Sequence, residues 1–449
     1  MFNIRGMRGF LTCPTGATCA AALTLLPAVL NVPSAAAAPA DRTTTALSGS
    51  TQSLPLTPRT RERVLGQAPE QGAYSTDVRP FSLVGVIWDS PGAELHGQVQ
   101  VRTRSAATGD WSGWQDVDPH NADHGADPGT AEASSGRVHG ATAPLWVGDS
   151  NGVDVRVRTE AGPGPGPGVG RDLLPAGLRL ELVDPGDEAP SEGPAADSPR
   201  TDTEADPAAT VNAGLVSFAA TEIPALSRED TERELRELNG AGAPLAKPYI
   251  GPRPRIVTRR GWGADESLRE KGFVYTGKVK AAFVHHTASG NGYRCSEAPS
   301  VIRSIYRYHV VSMGWRDIGY NFLVDKCGTV YEGRAGGAAK AVRGAHTLGF
   351  NNNSMGVAVI GTFGSHKPPA AAVTGVAKLT AWKLGLFGAN PKGKTYLKSG
   401  GGNLYPKGKN VRLNVISGHR DGYATDCPGA KLYAKLGSAR TSSARLQGR

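Results

Sequence analysis

The stretch KAAFVHHTA, residues 280–288, is an apolar run that ends in two histidines, and it organises the C-terminal half of the chain. We interpret residues 280–285 as a buried strand. Pro299 then begins a helix whose apolar positions recur every three or four residues, and proline suits a first helical turn. Further strands are expected at residues 321–325, 329–331, 356–361 and 412–417, with a second helix over residues 369–386. This alternation predicts an α/β domain, a mixed central sheet flanked by helices, at residues 254–435.

Two segments of this domain carry side chains suited to a metal. His285 and His286 end the first strand, where side chains project from the edge of a rigid sheet. The sequence GHRDGYATDCPG, residues 418–429, then places His419 and Cys427 in one loop after another strand. Imidazole and thiolate are good zinc ligands, and three protein ligands leave one position for water, as in catalytic zinc sites. The alternative is that these histidines are only hydrogen-bonded.

The preceding half of the chain has a different pattern. Short alternating segments between turns at residues 78–185 predict an all-β, sandwich-like domain. Its tryptophans either pack in the core or form a sugar-binding platform; they are Trp88, Trp111, Trp114 and Trp146. Residues 186–253, rich in Ala, Pro and acidic residues, are predicted to be a linker that lets the two domains sample relative positions. Residues 39–77 are expected to be disordered or extended, and residues 436–449 to be a flexible tail.

The N-terminus has the features of an export signal. Two arginines precede an apolar run and then small residues, so residues 1–38 are interpreted as a signal peptide. A membrane anchor is the alternative, but the apolar run is shorter than the roughly 20 residues that span a bilayer. We expect a secreted, cell-wall-associated monomer without a membrane span after cleavage.

Charge is divided unevenly along the chain. Residues 251–449 carry a net charge of +22 and residues 1–250 a net charge of −12. A basic half indicates a polyanionic partner such as anionic wall polymer, or simply a solvated surface. Export argues against nucleic acid. The loop at residues 392–409, rich in Gly and Lys, is either a contact for wall polymer or a solvated hairpin.

Several motifs in order, from residue 254 to residue 435, resemble the peptidoglycan-recognition-protein and N-acetylmuramoyl-L-alanine amidase family, which includes phage amidase-type lysozymes. They are RRGWGA at Arg259, VHHTA, YRYH ending at His309, GWRDIGYNFLVD at Gly314, GTVYEGR ending at Arg334, GAHTLGFN at Gly344, NSMGVAVIGTF at Asn353, GHRD and TDCPG. The resemblance implies hydrolysis of the amide bond between the lactyl group of N-acetylmuramic acid and L-alanine.

The resemblance also implies roles for individual residues. It makes His285, His419 and Cys427 the zinc ligands. Tyr320 matches a tyrosine that reaches the metal-bound water or the developing oxyanion, and Thr425 matches a position held by threonine or lysine. Zinc lowers the pKa of bound water to about 7 and polarises the amide carbonyl.

Substrate contacts follow from the same resemblance. The positions implied to line the glycopeptide groove are His309, Gly314, Trp315, Arg334, His346 and Asn351. The Gly-Trp pair with Arg334 resembles a pattern associated with diaminopimelate in the stem, whose extra carboxylate a guanidinium can bind with two hydrogen bonds. The alternative for Arg334 is a structural salt bridge.

Three cysteines remain after export, one of which the resemblance assigns to the metal. We therefore predict a disulfide between Cys295 and Cys327; an idle buried thiol at Cys427 is the alternative. Two other functions stay open. Family members that lose a zinc ligand recognise peptidoglycan without cutting it, and the sandwich domain is otherwise an adhesin or wall-binding domain anchored by the second domain.

Overall fold

The computed structural model describes residues 49–58, 70–159, 174–186, 207–217, 219–239 and 248–449. The proposed signal peptide lies outside these residues. Among the helices that are described, none is both long and apolar enough to cross a bilayer.

An antiparallel β-sandwich forms the first domain, which confirms the predicted class. Its strands are β1 Thr51–Pro55, β2 Thr57–Pro58, β3 Glu70–Ser75, β4 Phe81–Trp88, β5 Gly97–Ser105, β6 Gln115–Val117, β7 Gly140–Ala141, β8 Leu145–Thr159 and β9 Arg179–Val183. The long strand β8 pairs with β4 near its start and with β3 and β5 further along, so it connects the nine strands into one hydrogen-bonded sheet. Buried valines alternate with more exposed residues along β5, the two-residue period of a strand with one face in the core.

The four tryptophans of this domain do not share one environment. Only Trp88 is fully buried, with 2% of its surface exposed. Trp111, Trp114 and Trp146 are half-buried, so the core does not hold most of them. Arg102 partly covers two of these rings: its guanidinium carbon lies 5.3 Å from the Trp111 ring centroid and 5.0 Å from that of Trp114. Cation–π contacts thus cover rings on the outer face of the sheet.

A seven-stranded mixed sheet forms the centre of the second domain, as predicted. Its strand order is β10-β11-β14-β13-β15-β12-β18. The strands are β10 Glu222–Ile223, β11 Ile256–Val257, β12 Ala281–His286, β13 Phe322–Val324, β14 Val330–Glu332, β15 Ser354–Val359 and β18 Ile416–Gly418. Strand β12 is parallel to both neighbours, β15 and β18. The carboxyl ends of these three strands therefore meet at one edge of the sheet.

Helices cover both faces of this sheet. The helices of the chain are α1 Pro207–Thr210, α2 Arg228–Asn239, α3 Ala298–Arg307, α4 Ala370–Gly385, α5 Ala430–Tyr433 and α6 Leu436–Leu446. Helix α3 continues into a π-helical turn, Tyr308–Ser312, and packs on one face, while α4 packs on the other. A separate hairpin pairs β16 Lys394–Lys398 with β17 Asn410–Asn414.

The two domains share an apolar core. Leu83 and Ile87 of β4 belong to the same buried cluster as Ile302 and Ile305 of α3. Beside it the Tyr308 hydroxyl donates to the Thr142 carbonyl oxygen at 3.1 Å. The prediction that the linker leaves the domains free to move is therefore wrong, because apolar faces of both domains are buried against each other.

Three segments that were expected to be, respectively, disordered or extended, a linker, and a flexible tail contribute to the fold. Residues 39–77 include β1, β2 and β3, which pair with the sandwich. The linker includes α1, α2 and β10, which pairs with β11. The predicted tail forms α6, which packs on α4, where the Thr380 and Ser443 hydroxyls lie 3.2 Å apart. These segments are ordered although their composition is polar. Their backbone groups pair with neighbouring strands, and small side chains allow close contact between the helices.

Candidate metal centre

Strands β12 and β18 bring the three predicted metal ligands together. Val284 pairs with Gly418, so the residues that follow, His285 and His419, are neighbours, with ring centroids 4.5 Å apart. Cys427 reaches the same point, and its Sγ lies 3.7 Å from His285 Nδ1. Nitrogen and sulfur ligands of one tetrahedral zinc ion are about 3.6 Å apart. His286 does not join them, because its Nδ1 accepts the Phe363 backbone N–H at 3.3 Å.

A fourth donor comes from the sandwich domain. Residues 118–139, which connect β6 to β7 and are called the insert below, carry His124 into the cluster. Ligand atoms of His124, His285, His419 and Cys427 all lie within 4.8 Å of one another. His124 was not predicted from the sequence, because the family resemblance covers only the second domain and His124 belongs to the first. The only local signal is the adjacent pair Asp123–His124, a carboxylate beside an imidazole.

Hydrogen bonds hold one nitrogen of each imidazole ring. His124 Nδ1 lies 2.8 Å from Asp123 Oδ1, and His419 Nε2 lies 3.1 Å from the Asp123 carbonyl oxygen. His285 Nε2 lies 3.2 Å from His346 Nδ1. Partners of this kind orient histidine ligands in metal sites. Asp123 therefore supports histidines from both domains.

The remaining nitrogens give the test of whether a metal fits. His124 Nε2 and His419 Nδ1 are buried, and neither has a hydrogen-bond partner. A buried nitrogen without a partner costs free energy unless something binds it. Two unpartnered imidazole nitrogens beside a buried free thiol, Cys427, form a donor set that matches zinc.

Burial keeps the His285 and His419 rings and the Cys427 thiol uncharged. It lowers the pKa of His285 well below its usual value, helped by neighbouring histidines, and it lowers the pKa of His419 to about 3. Burial, with a smaller effect of Asp123, raises the pKa of the Cys427 thiol. The rings are therefore free to bind a cation at neutral pH, and the thiol must release its proton to do so.

Tyr320 and Thr425 lie beside the cluster but differ in their contacts. The Tyr320 ring centroid is 5.5 Å from that of His285, and burial raises the pKa of Tyr320 well above its usual value. Its hydroxyl therefore keeps its proton at neutral pH. Thr425 accepts the backbone N–H of Cys427 at 3.1 Å. Its observed contacts position the cysteine loop.

Of the groove positions implied by the resemblance, Gly314 is half-buried and the other five are buried. Trp315 packs on His309, with ring centroids 4.5 Å apart. Arg334 donates to both carboxylate oxygens of Glu132, at 2.8 and 3.0 Å. In this structure Arg334 therefore makes the salt bridge that was its alternative role. His346 is fully buried beside His285.

A cavity of about 580 Å³ opens beside the metal cluster. Both domains line it, with Trp88, Asp118 and His124 from the first and Tyr320 and Cys427 from the second. The cluster therefore lies at the boundary between the domains rather than within one of them.

The predicted disulfide is confirmed. Cys295 and Cys327 are bonded, with their Cα atoms 6.2 Å apart. The bond joins the turn before α3 to the loop before β14. Cys427 stays free for the metal cluster.

Comparisons with known proteins match two regions of the chain. Residues 275–430 match the family model described as "N-acetylmuramoyl-L-alanine amidase". Residues 35–203 match a model described as "Rv3811 N-terminal galactose-binding domain-like". Peptidoglycan-recognition protein 1 of Holotrichia diomphalia is 30% identical over 187 residues, which are 41% of this chain and 79% of that protein. Peptidoglycan-recognition protein SC2 of Drosophila simulans is 28% identical over 40% of this chain and 84% of its own length.

Solved structures show similar coverage. Drosophila PGRP-LB is 26% identical over 41% of this chain and 93% of its own, with a TM-score of 0.32. An endolysin amidase, LysCS of Clostridium intestinale, is 20% identical over 41% of this chain and 95% of its own, with a TM-score of 0.30. On the strength of the sequence relatives, the chain belongs to the peptidoglycan-recognition-protein and N-acetylmuramoyl-L-alanine amidase family.

Proposed function

We propose that this chain is a secreted, zinc-dependent N-acetylmuramoyl-L-alanine amidase that hydrolyses the lactyl–L-alanine amide bond of peptidoglycan. One observation carries the proposal. His285, His419 and Cys427 meet at one sheet edge, and buried imidazole nitrogens there have no hydrogen-bond partner. This is a donor set for catalytic zinc on a family background of amidases.

His285, His419 and Cys427 would hold a zinc ion, which would supply the Lewis acidity that polarises an amide carbonyl and acidifies water. Tyr320 acts on the carbonyl oxygen. Because its hydroxyl stays protonated, it donates a hydrogen bond as negative charge develops on that oxygen, a contribution of about 3–4 kcal/mol in other hydrolases. Thr425 and Asp123 hold the ligands in place.

This mechanism does not use a glutamate of the central sheet as a general base. The family resemblance implies that enzymes of a related branch use a glutamate as the base. That glutamate lies on the strand that corresponds to β15. Here β15 reads SMGVAV and carries no acidic residue. The tyrosine-based mechanism is therefore favoured over one that uses a glutamate.

Peptidoglycan with diaminopimelate stems is the proposed substrate. Arg334 is the proposed contact for the additional carboxylate, since it already binds both oxygens of a carboxylate in this structure. His309, Gly314, Trp315, His346 and Asn351 are the proposed further groove residues. The lysines of the β16–β17 hairpin are proposed to contact anionic wall polymer.

The second candidate function is a peptidoglycan-binding module without turnover. It is favoured by the closure of the site, because His124 takes the fourth donor position next to the other three. Cys427, the ligand whose loss accompanies lost activity in this family, is present. The amidase remains the better supported function.

Purified sacculi provide the test. The protein starting at Pro39 is incubated with sacculi in the presence of zinc, with and without a chelator. The expected result is chelator-sensitive release of stem peptides with free L-alanine amino termini, by the wild type or by His124→Ala. Because His124 occupies a donor position, His124→Ala is assayed in parallel. His120→Ala is the matched control, since the His120 side chain is 81% exposed on the same insert.

Cys427→Ala should lose both bound zinc and turnover while retaining some wall binding. If neither the wild type nor His124→Ala releases stems although each binds one equivalent of zinc, the binding module is the correct function.

A further inference from the structure

We propose that the insert, residues 118–139, is an internal ligand of the proposed active site: His124 is a fourth zinc ligand, and the acidic residues around it occupy the groove meant for the peptidoglycan stem. The chain described here is then a latent form. The inference rests on the proposed zinc site, and it adds residues that lie outside the amidase-like domain.

The surroundings of His124 are those of a metal ligand. Its Nδ1 is engaged by Asp123 at 2.8 Å, and its Nε2 is buried without a partner. Its ring centroid lies 4.6 Å from that of His419. Four protein donors make a closed zinc site of the structural type, whereas catalytic sites keep one position open. With His124 bound, no position is left for water or substrate.

The same insert neutralises the predicted carboxylate-binding arginine. Glu132 and Arg334 have side chains only 7% and 5% exposed. A second bond, from the Arg316 backbone N–H at 3.4 Å, also reaches Glu132. A buried guanidinium held by two carboxylate oxygens is the contact expected for a substrate carboxylate. Glu132 therefore stands where that substrate group would bind.

Asp127 and Gly125 occupy another predicted groove position. Asn351 donates through Nδ2 to Asp127 Oδ1 at 2.7 Å and to the Gly125 carbonyl oxygen at 2.8 Å. Asp127 also accepts the Gly349 backbone N–H at 2.8 Å. These contacts resemble those of a bound peptide, because a backbone carbonyl and a carboxylate of the insert accept hydrogen bonds from donors of the predicted groove. A stem peptide cannot make them while the insert is present.

Backbone of the insert covers the Gly-Trp pair as well. A Cβ atom at Gly314 would lie 2.0 Å from the Arg137 carbonyl oxygen, and one at Gly125 would lie 3.9 Å from the Trp315 ring. Three predicted groove residues thus contact the insert directly: Gly314, Arg334 and Asn351. Binding of the insert and of a stem peptide is therefore mutually exclusive.

The insert is built for contact rather than for sandwich stability. All of residues 118–139 are described, and they contain neither helix nor strand. Three of its acidic side chains, Asp123, Asp127 and Glu132, are buried against the second domain. Asp127 and Glu132 are hydrogen-bonded to that domain, and Asp123 is hydrogen-bonded to a proposed metal ligand. Acidic residues are normally exposed unless paired, so these three owe their burial to the site they fill.

The coordination of the metal tests the proposal without any assay of activity. In protein loaded with Co²⁺, azide is added while the visible absorption spectrum is recorded. We expect no azide-dependent change in the wild type or in His120→Ala, and a saturable change in His124→Ala. His124→Gln is the second variant, which keeps more of the side-chain volume. X-ray absorption of the zinc-loaded wild type should show three nitrogen ligands, one sulfur ligand and no oxygen ligand.

Groove occupancy is tested by binding of a soluble diaminopimelate muropeptide to zinc-loaded protein, measured by calorimetry. The pair of substitutions His124→Ala and Glu132→Gln should tighten binding at least tenfold relative to wild type, while His120→Ala should not. Circular dichroism checks that each variant is folded.

The outcomes separate this inference from the proposed function. An azide response of the wild type equal to that of His124→Ala, or an oxygen ligand on its zinc, overturns the inference even if sacculi are cut. Four protein ligands and improved muropeptide binding without cleavage by any variant would uphold the inference and overturn the amidase.

Discussion

Glu132 and Arg334 form a buried ion pair that joins the two domains, with two hydrogen bonds of 2.8 and 3.0 Å between them. The pairing follows the charge division of the chain, since residues 1–250 are net acidic and residues 251–449 net basic. Removing two charges from water is costly, so such a pair specifies the position of the insert more than it stabilises the fold.

Breaking this pair on one side should be costly. Glu132→Ala leaves the Arg334 guanidinium buried without its partner, and we expect the free energy of unfolding to fall by about 3–5 kcal/mol. Urea denaturation measures this change. The control is Asp89→Ala, which breaks the more exposed pair with Arg179 and should cost less than about 1 kcal/mol. Equal losses in the two variants would contradict the role of burial.

Arg334 should also determine which stem peptide is bound. In a His124→Ala, Glu132→Gln background, Arg334→Ala is expected to weaken binding of diaminopimelate stems more than binding of lysine stems. The reason is the additional carboxylate, which only the former stem presents. Calorimetry with both muropeptides measures the difference, and equal losses for the two would refute the stem preference.

Part of this site followed from the family resemblance, and the rest could not. The resemblance assigned His285, His419 and Cys427 to the metal, and the local sequence added only that both histidines follow predicted strands and that the cysteine lies in the loop after the second strand. His124 was not predicted, since it meets His285 across domains and no periodic pattern or spacing links residues so far apart. Glu132 was missed for the same reason, although the sequence analysis named a salt bridge as the alternative for Arg334.

The fold shows the same division. Strand β12 and helices α3 and α4 were predicted from apolar patterns, which report local structure directly. Helix α6 was predicted to be a flexible tail because its segment is polar and lies at the terminus. It is ordered by tertiary contacts, such as the Gln447 side-chain amide that donates to the Ala381 carbonyl oxygen at 2.9 Å, and composition does not report these.

Tyr320→Phe should affect the chemical step alone. In a His124→Ala background, loss of the hydroxyl is expected to lower kcat by about 10²- to 10³-fold, because one hydrogen bond to the developing oxyanion is lost. Zinc content and muropeptide affinity should not change. Tyr331→Phe is the control, since that hydroxyl donates to Asp325. A fall in zinc content that matches the fall in kcat would assign Tyr320 to metal binding instead.

Acid should destabilise the metal-free protein. Burial lowers the pKa of His286 to about 4 and that of His419 to about 3, from 6.5. Between these values and pH 6.5 the unfolded chain binds more protons than the folded one, so the free energy of unfolding falls as the pH drops below 6.5. Each ring contributes about 1.4 kcal/mol per pH unit within its window.

Urea titrations of chelator-treated protein at several pH values measure this slope. His286→Asn removes one titrating ring while its amide oxygen can still accept the Phe363 N–H, so the slope should become shallower. A slope between pH 6.5 and 4 that is the same in both proteins would contradict the assignment to His286.

The shared core between the domains predicts a strong effect at Gly85. A Cβ atom there would lie 2.3 Å from the Tyr308 hydroxyl oxygen, which is buried. We expect Gly85→Ala to lower the free energy of unfolding by about 1–3 kcal/mol through overpacking. Gly92→Ala is the control, because nothing lies within 4 Å of its added atom. Calorimetry should show both domains of the wild type unfolding in a single transition.

The attachment of the insert to β6 at one end and β7 at the other has a consequence for what the protein responds to. A ligand tethered in this way stays beside its groove at a local concentration on the order of millimolar, whatever the surroundings contain. Dilute soluble fragments compete poorly against it. An intact wall presents many stems side by side and would hold the protein at several points, so we expect the polymer, rather than its soluble fragments, to displace the insert.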